Sequence, residues 1–283
     1  MQYLGEPVGN LFRVVLRSRL SPPRTSARQR GLTIPARIID VLWFSMILIG
    51  AVWMMRYLFD FVRPELSWND VADTFGDGLI TLIRVVVLIA LASAIWVPVG
   101  VAVGLRPGVA QTVQPLAQFL AAFPANLLFP VAVYLIVRFN LTPNIWLSPL
   151  MILGTQWYIL FNVIAGASAF PGDLREAAAT FHIRGWRWWR EVMLPAVFPY
   201  YVTGAITASG GAWNASIVSE AVSWGQTNFS ATGLGAYIAR MTATGDYPRI
   251  ALGVAVMSLF VIITNRLLWR PLYVIAESRT RLS

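Results

Sequence analysis

Between Asp173 and Pro195 the chain gathers the side chains best suited to act on another molecule, and their chemistry is ionic and docking rather than bond-making. Asp173, with Glu176 three residues later, has the spacing of a capping box. Ala177, Ala178 and Ala179 are strong helix formers, and so small a helix lets a partner approach closely. Gly185 breaks it, and a second short helix carrying Trp186, Trp188 and Trp189 runs to Leu194, where Pro195 stops it. Arg187 and Glu191 pair at i,i+4 on the exposed side of that helix. The spacing predicts two short helices in one loop, with Glu176 either capping its own helix or making an ionic contact with a partner.

Bond-making chemistry is argued against by what the chain lacks. It has no Cys, and its one His is His182, so disulfides, thiolate sites and histidine-cluster metal sites are excluded. All 22 basic residues are Arg, so no nucleotide-binding Gly-rich loop with its Lys can form. The carboxylates are scattered rather than paired, which argues against an enzyme, and no cofactor is expected. What remains is a set of polar residues inside apolar runs, where they face a cavity or a partner. Asn214 and Trp213 lead, with Ser216 beside them; Gln156, Trp157 and Asn126 follow. Small residues in the same run, such as Thr203, Gly204 and Gly210, serve close helix packing equally well. Glu220 reads as an anchor at the membrane interface. Arg84 reads as a side chain that snorkels to the outer headgroups, with attraction of an anion as the other role.

The elements that must position these residues follow from composition. Hydrophobic residues make up 57% of the 283 and charged ones 12%, about half the charged share of a soluble domain. Six apolar runs of the length needed to cross a bilayer fall near 38–59, 79–105, 113–139, 145–169, 199–221 and 248–269. Pro124 and Pro130 predict a kinked or broken third span. Residues 1–37 form a basic tail, with a short amphipathic stretch over 8–16; residues 38–275 form the membrane domain, with the loop 170–198 inside it; residues 276–283 form a second tail. The expected class is all-α and polytopic. Arg residues crowd the N-terminal tail, the Arg106 turn, the 170–198 loop and the C-terminal tail, and an acidic loop spans 60–77, so both ends lie inside. Arg138, Arg240 and Arg249 sit against this rule, at the outer face. Trp43, Trp53, Trp68 and Trp269 lie near span ends, as an interfacial belt requires. The net charge of +9 is spread between apolar runs, which argues against nucleic-acid binding.

Glu176-Ala177-Ala178, followed at the family's spacing by Leu194-Pro195 between the fourth and fifth spans, resembles the EAA loop of permeases from binding-protein-dependent ABC importers. The family's Gly six positions after the Glu is replaced by His182, and Gly185 is expected to take over the bend. The resemblance covers roughly residues 38–275 and is nearest to the nitrate, sulfonate and bicarbonate group. Gln114-Pro115-Leu116 and Gly210-Gly211-Ala212-Trp213-Asn214 give it the look of the second half of a duplicated anion-type permease. The resemblance implies a bacterial inner-membrane permease whose Glu176, Ala177, Ala178, His182, Gly185, Leu194 and Pro195 contact an ABC ATPase subunit dimer. It also implies a second permease unit, an external solute-binding protein and a small anion as cargo. The competing reading is an ion-coupled secondary transporter or channel, disfavoured by the near absence of charge in the middle of the spans.

Overall fold

The computed structural model describes residues 36–225 and 227–280. The expected basic tail up to residue 35, with its 8–16 stretch, and residues 281–283 lie outside the described residues. The chain divides after Arg56 into two compact units. The described part of the first is the body of one helix, α1 (Ala36–Val62), whose apolar run supplies one membrane span.

The second unit is built on α2 (Trp68–Gly104), α3 (Pro107–Ala122), α4 (Phe129–Arg138), α5 (Gln156–Ser168), α6 (Gly172–Thr180), α7 (Gly185–Trp188) and α8 (Leu194–Ser219). An antiparallel hairpin follows, β1 (Ala221–Trp224) paired with β2 (Thr227–Ser230), then α9 (Leu234–Thr244), α10 (Tyr247–Thr264) and α11 (Arg270–Thr280). Among the described residues four helices are long and apolar enough to cross a membrane, and two bent pairs bring the number to six. The third span breaks, with α3 and the segment 125–138 meeting at 80°. Pro124 precedes that break, in line with expectation. The fourth span, expected as one run over 145–169, is also broken, by 42° between Pro143–Leu153 and α5.

Four boundaries differ from expectation. The acidic loop is half helical, because Ser67 and Asp70 form a reciprocal capping box that starts α2 well before its apolar run. At 37 residues, α2 is about 55 Å long, against about 30 Å of hydrocarbon. Residues 221–244, which lie between apolar runs and carry no predicted element, form the hairpin and α9. The sixth span continues through Trp269 into α11, so the expected tail is helical to Thr280. Pro195 does not stop a helix but sits in the first turn of α8.

The main core joins α2, α5, α8, α9 and α10, with Ile89, Val163, Ala208, Leu234 and Phe260 among its members. Close approach depends on small residues: a Cβ on Gly104 would lie 2.6 Å from the Ile164 carbonyl, and one on Gly204 2.6 Å from that of Tyr158. A separate small core holds Val133 and Ile136 of α4, Leu147, Leu150, Val222 and Ala231. Trp269 is buried in the main core, not placed in an interfacial belt.

Candidate coupling segment and pathway

Helix α6 starts at Gly172 after Pro171, and no side chain caps it. The capping box expected of Asp173 and Glu176 is absent because Asp173 already lies in the first turn. Glu176 is exposed in mid-helix, and its side chain has no partner among the described residues. The self-capping reading of Glu176 therefore falls, leaving a carboxylate presented outward. Ala177 beside it is exposed, whereas Ala178 faces inward.

The helix ends at His182, not at Gly185. The amide of His182 donates to the Ala179 carbonyl (3.0 Å) and that of Ile183 to the Ala178 carbonyl (2.9 Å), the paired bonds of a Schellman turn. That motif puts its C′ residue in the left-handed region, and His182 has φ 54°. The position where the EAA pattern carries Gly is thus the one where the backbone calls for it. His182 itself makes the bend, its Nδ1 lying 3.0 Å from the Thr180 carbonyl. Gly185, with φ 60°, makes a second bend at the start of α7.

From Gly185 to Ser219 the chain is one 35-residue helix. Residues Trp189–Met193 widen into a π turn, in which the Leu194 amide reaches back to the Trp189 carbonyl. Pro195 has no N–H, and its ring would press on the carbonyl four residues back in a regular α-helix; the wide turn relieves this. A second π turn, Asn265–Trp269, precedes Pro271 at the same spacing. The bulky half of the segment is therefore the inner end of the fifth span itself. Trp186 and Phe181 stand 70% and 77% exposed. The expected Arg187–Glu191 pair is present at 3.2 Å, exposed on both sides.

The pathway candidates separate. Trp213 is 2% exposed and stacks on Phe260, ring centroids 6.1 Å apart. Ser216 is buried, its hydroxyl donating to the Trp213 carbonyl at 2.7 Å. Both face the core. Asn214 lies on the opposite, exposed side of α8 in a line with Thr203 and Thr207, without a partner among the described residues. Gln156 accepts from the Trp96 indole at 2.9 Å, and Trp157 packs at 5.0 Å on Trp96, so this pair joins α5 to α2. Asn126 is exposed at the break between α3 and α4.

Two of the three charges that sit against the orientation rule, Arg249 and Arg240, have partners. Arg249 bonds Asp246 at 2.7 Å and Asp70 at 3.3 Å, and it holds the Asp246 carboxyl below its usual range. Arg240 lies over the Tyr237 ring, 5.8 Å from its centroid. Arg84 does not snorkel: its guanidinium bonds Glu220 at 2.8 Å, and the side chains are 12% and 1% exposed. Glu220 is accordingly no interface anchor. A charge in an apolar span is stabilised by a buried countercharge and by filled hydrogen-bond sites; here the countercharge is present and both Glu220 oxygens are bonded.

Residues 96–270 match the family described as binding-protein-dependent transport system inner membrane component. The chain belongs to that family. It is 30% identical over 148 residues, 52% of each chain, to the bicarbonate transport system permease protein CmpB of Synechococcus elongatus. It is 24% identical over 268 residues, 89% of this chain and 92% of the other, to the nitrate import permease protein NrtB of Leptolyngbya laminosa. With the NrtB of Synechococcus elongatus it shares 25% identity over 142 residues. The match spans about half the length of the bicarbonate permeases.

In this inner membrane component, sequence reasoning marked the candidate coupling segment by its Glu-Ala-Ala and Leu-Pro spacing. It missed the Arg84–Glu220 pair, whose members lie 136 residues apart. The signal was there: an Arg and a Glu inside apolar runs, neither with a local countercharge.

Proposed function

We propose that this chain is the membrane-spanning permease subunit of an ATP-driven importer for a small anion of the bicarbonate or nitrate kind. The observation that carries this reading is the outward-facing Glu176 helix joined, through two left-handed bends, to a continuous helix that is also the fifth span. A motor protein gripping α6 would act directly on the membrane helix. The partners are an ABC ATPase subunit dimer holding residues 172–195, a second permease unit, and an external solute-binding protein. The names of the relatives support the anion class; Asn214 on the exposed face of α8 and Asn126 at the break of the third span are the residues proposed to line its path.

Reconstitution with the ATPase subunit and binding protein, followed by uptake of labelled bicarbonate and nitrate, tests the reading. ATP-dependent accumulation is the expected result. Accumulation driven by an ion gradient without ATP would favour the secondary-transporter reading instead.

A further inference from the structure

Glu220 follows directly on the last residue of α8, and its contacts reach three other parts of the chain. One carboxylate oxygen accepts from the Thr81 hydroxyl at 2.9 Å and Arg84 at 2.8 Å, both on α2. The other accepts from the amides of Gly235 at 2.8 Å and Ala236 at 3.2 Å, in the first turn of α9. Thr81 in turn accepts from the Leu234 amide at 2.9 Å. The Glu220 carbonyl accepts from Ala231 at 2.7 Å, just past β2, so the hairpin that starts at Ala221 is tied back to Glu220 at its far end. Gly233 leaves room for this clasp: a Cβ there would lie 2.6 Å from the carboxylate.

The hairpin's other contacts lead away from the main core. Val222, Phe229 and Ala231 pack with Val133 and Ile136 of α4. That helix is the half of the third span set at 80° to α3, and its packing is with the hairpin and the turn at Pro143–Trp146, not with the main core. A buried ion pair whose carboxylate is bonded at both oxygens is costly to open on one side, which favours a clasp that holds while the bodies it joins move.

We propose that Glu220 is a positioning residue that makes the hairpin, α9 and α4 travel with α8, so that movement delivered at residues 172–195 reaches the outer half of the broken span. This rests on the permease reading for the source of the movement, and the geometry of the clasp stands apart from it.

The absence of Cys permits clean labelling. Spin labels are placed at Val137→Cys on α4 and Ile83→Cys on α2, both exposed positions, in the full complex with its ATPase and binding protein. The parent is expected to give one narrow distance distribution, alike in nucleotide-free and vanadate-trapped complexes. Glu220→Ala should broaden or split it, and raise ATP consumed per labelled nitrate or bicarbonate about tenfold with KM for ATP retained. Phe229→Ala, which loosens the hairpin from α4 without touching the clasp, should broaden the same distribution and serves if Glu220→Ala fails to insert. A parent-like distribution in the variants, or broadening with an unaltered ATP-to-solute ratio, would overturn the proposal. Uptake by the parent that needs no ATP would sink the importer reading instead, and the label distances would still decide the clasp.

Discussion

The amide of Ile183 donates to the carbonyl of Ala178 across 2.9 Å, and the residue they straddle, His182, is held at φ 54°. A side chain in that region costs about 1–2 kcal/mol, partly offset by the lower chain entropy it brings to the unfolded state. His182→Gly is therefore expected to stabilise the protein by about 0.5–1 kcal/mol. His182→Val should destabilise it, because a β-branched residue tolerates this conformation worst. Thermal unfolding in detergent checks both; a His182→Gly protein that melts below the parent refutes the account of the bend.

Glu176 is exposed and its side chain bonds nothing in its own helix, so reversing its charge should spare folding. Glu176→Lys is expected to insert normally, melt with the parent and lose ATP-dependent uptake. Membrane fractionation and uptake measured together decide it, and normal uptake would end the docking role assigned to this carboxylate.

Trp213 and Asn214 are neighbours in sequence with opposite surroundings. Trp213→Ala removes a buried ring stacked on Phe260 and should destabilise by about 3–5 kcal/mol. Asn214→Ala should alter stability by less than about 0.5 kcal/mol while shifting the KM for solute. Equal losses of stability from the two variants would contradict the division of α8 into a packed face and an open one.

Asp246 caps α10 and bonds Arg249, and these contacts depress its pKa. A carboxyl with a lowered folded pKa adds stability that is present above its unfolded value, near 4, and is lost as pH falls through the folded one. Melting temperature is thus expected to be insensitive to this group from pH 7 to 5 and to fall below about pH 4. Arg249→Gln should flatten that acid limb. An unchanged acid limb in Arg249→Gln would show that the pairing has no energetic consequence.

Local patterns in the sequence were enough to read the spans, the break near Pro124 and the short helix that carries Glu176, because length, apolar runs and Pro act on their own neighbourhood. Ser67 and Asp70 also carried a legible capping box, which went unread because their surroundings are acidic and polar. The role of Pro195 was misjudged for a different reason. Whether Pro ends a helix or rides in it depends on whether the preceding turn can widen, and the local sequence holds no cue to that. Trp213 is buried against the pathway expectation because α8 carries polar and small residues on both its packed and its open side; which face is buried depends on where α9 and α10 come to rest. Arg84 and Glu220 needed the tertiary fold to meet at all.

Each widened turn, Trp189–Met193 and Asn265–Trp269, holds one residue more than a regular turn would, and so offsets the helical phase by roughly 100°. The inner end of the fifth span can thereby aim its tryptophans and arginines at a docking surface independently of the azimuth that core packing imposes further out. Any periodicity traced straight through Gly185–Ser219 slips out of step there. Twist applied at one end meets its softest joint at that same place.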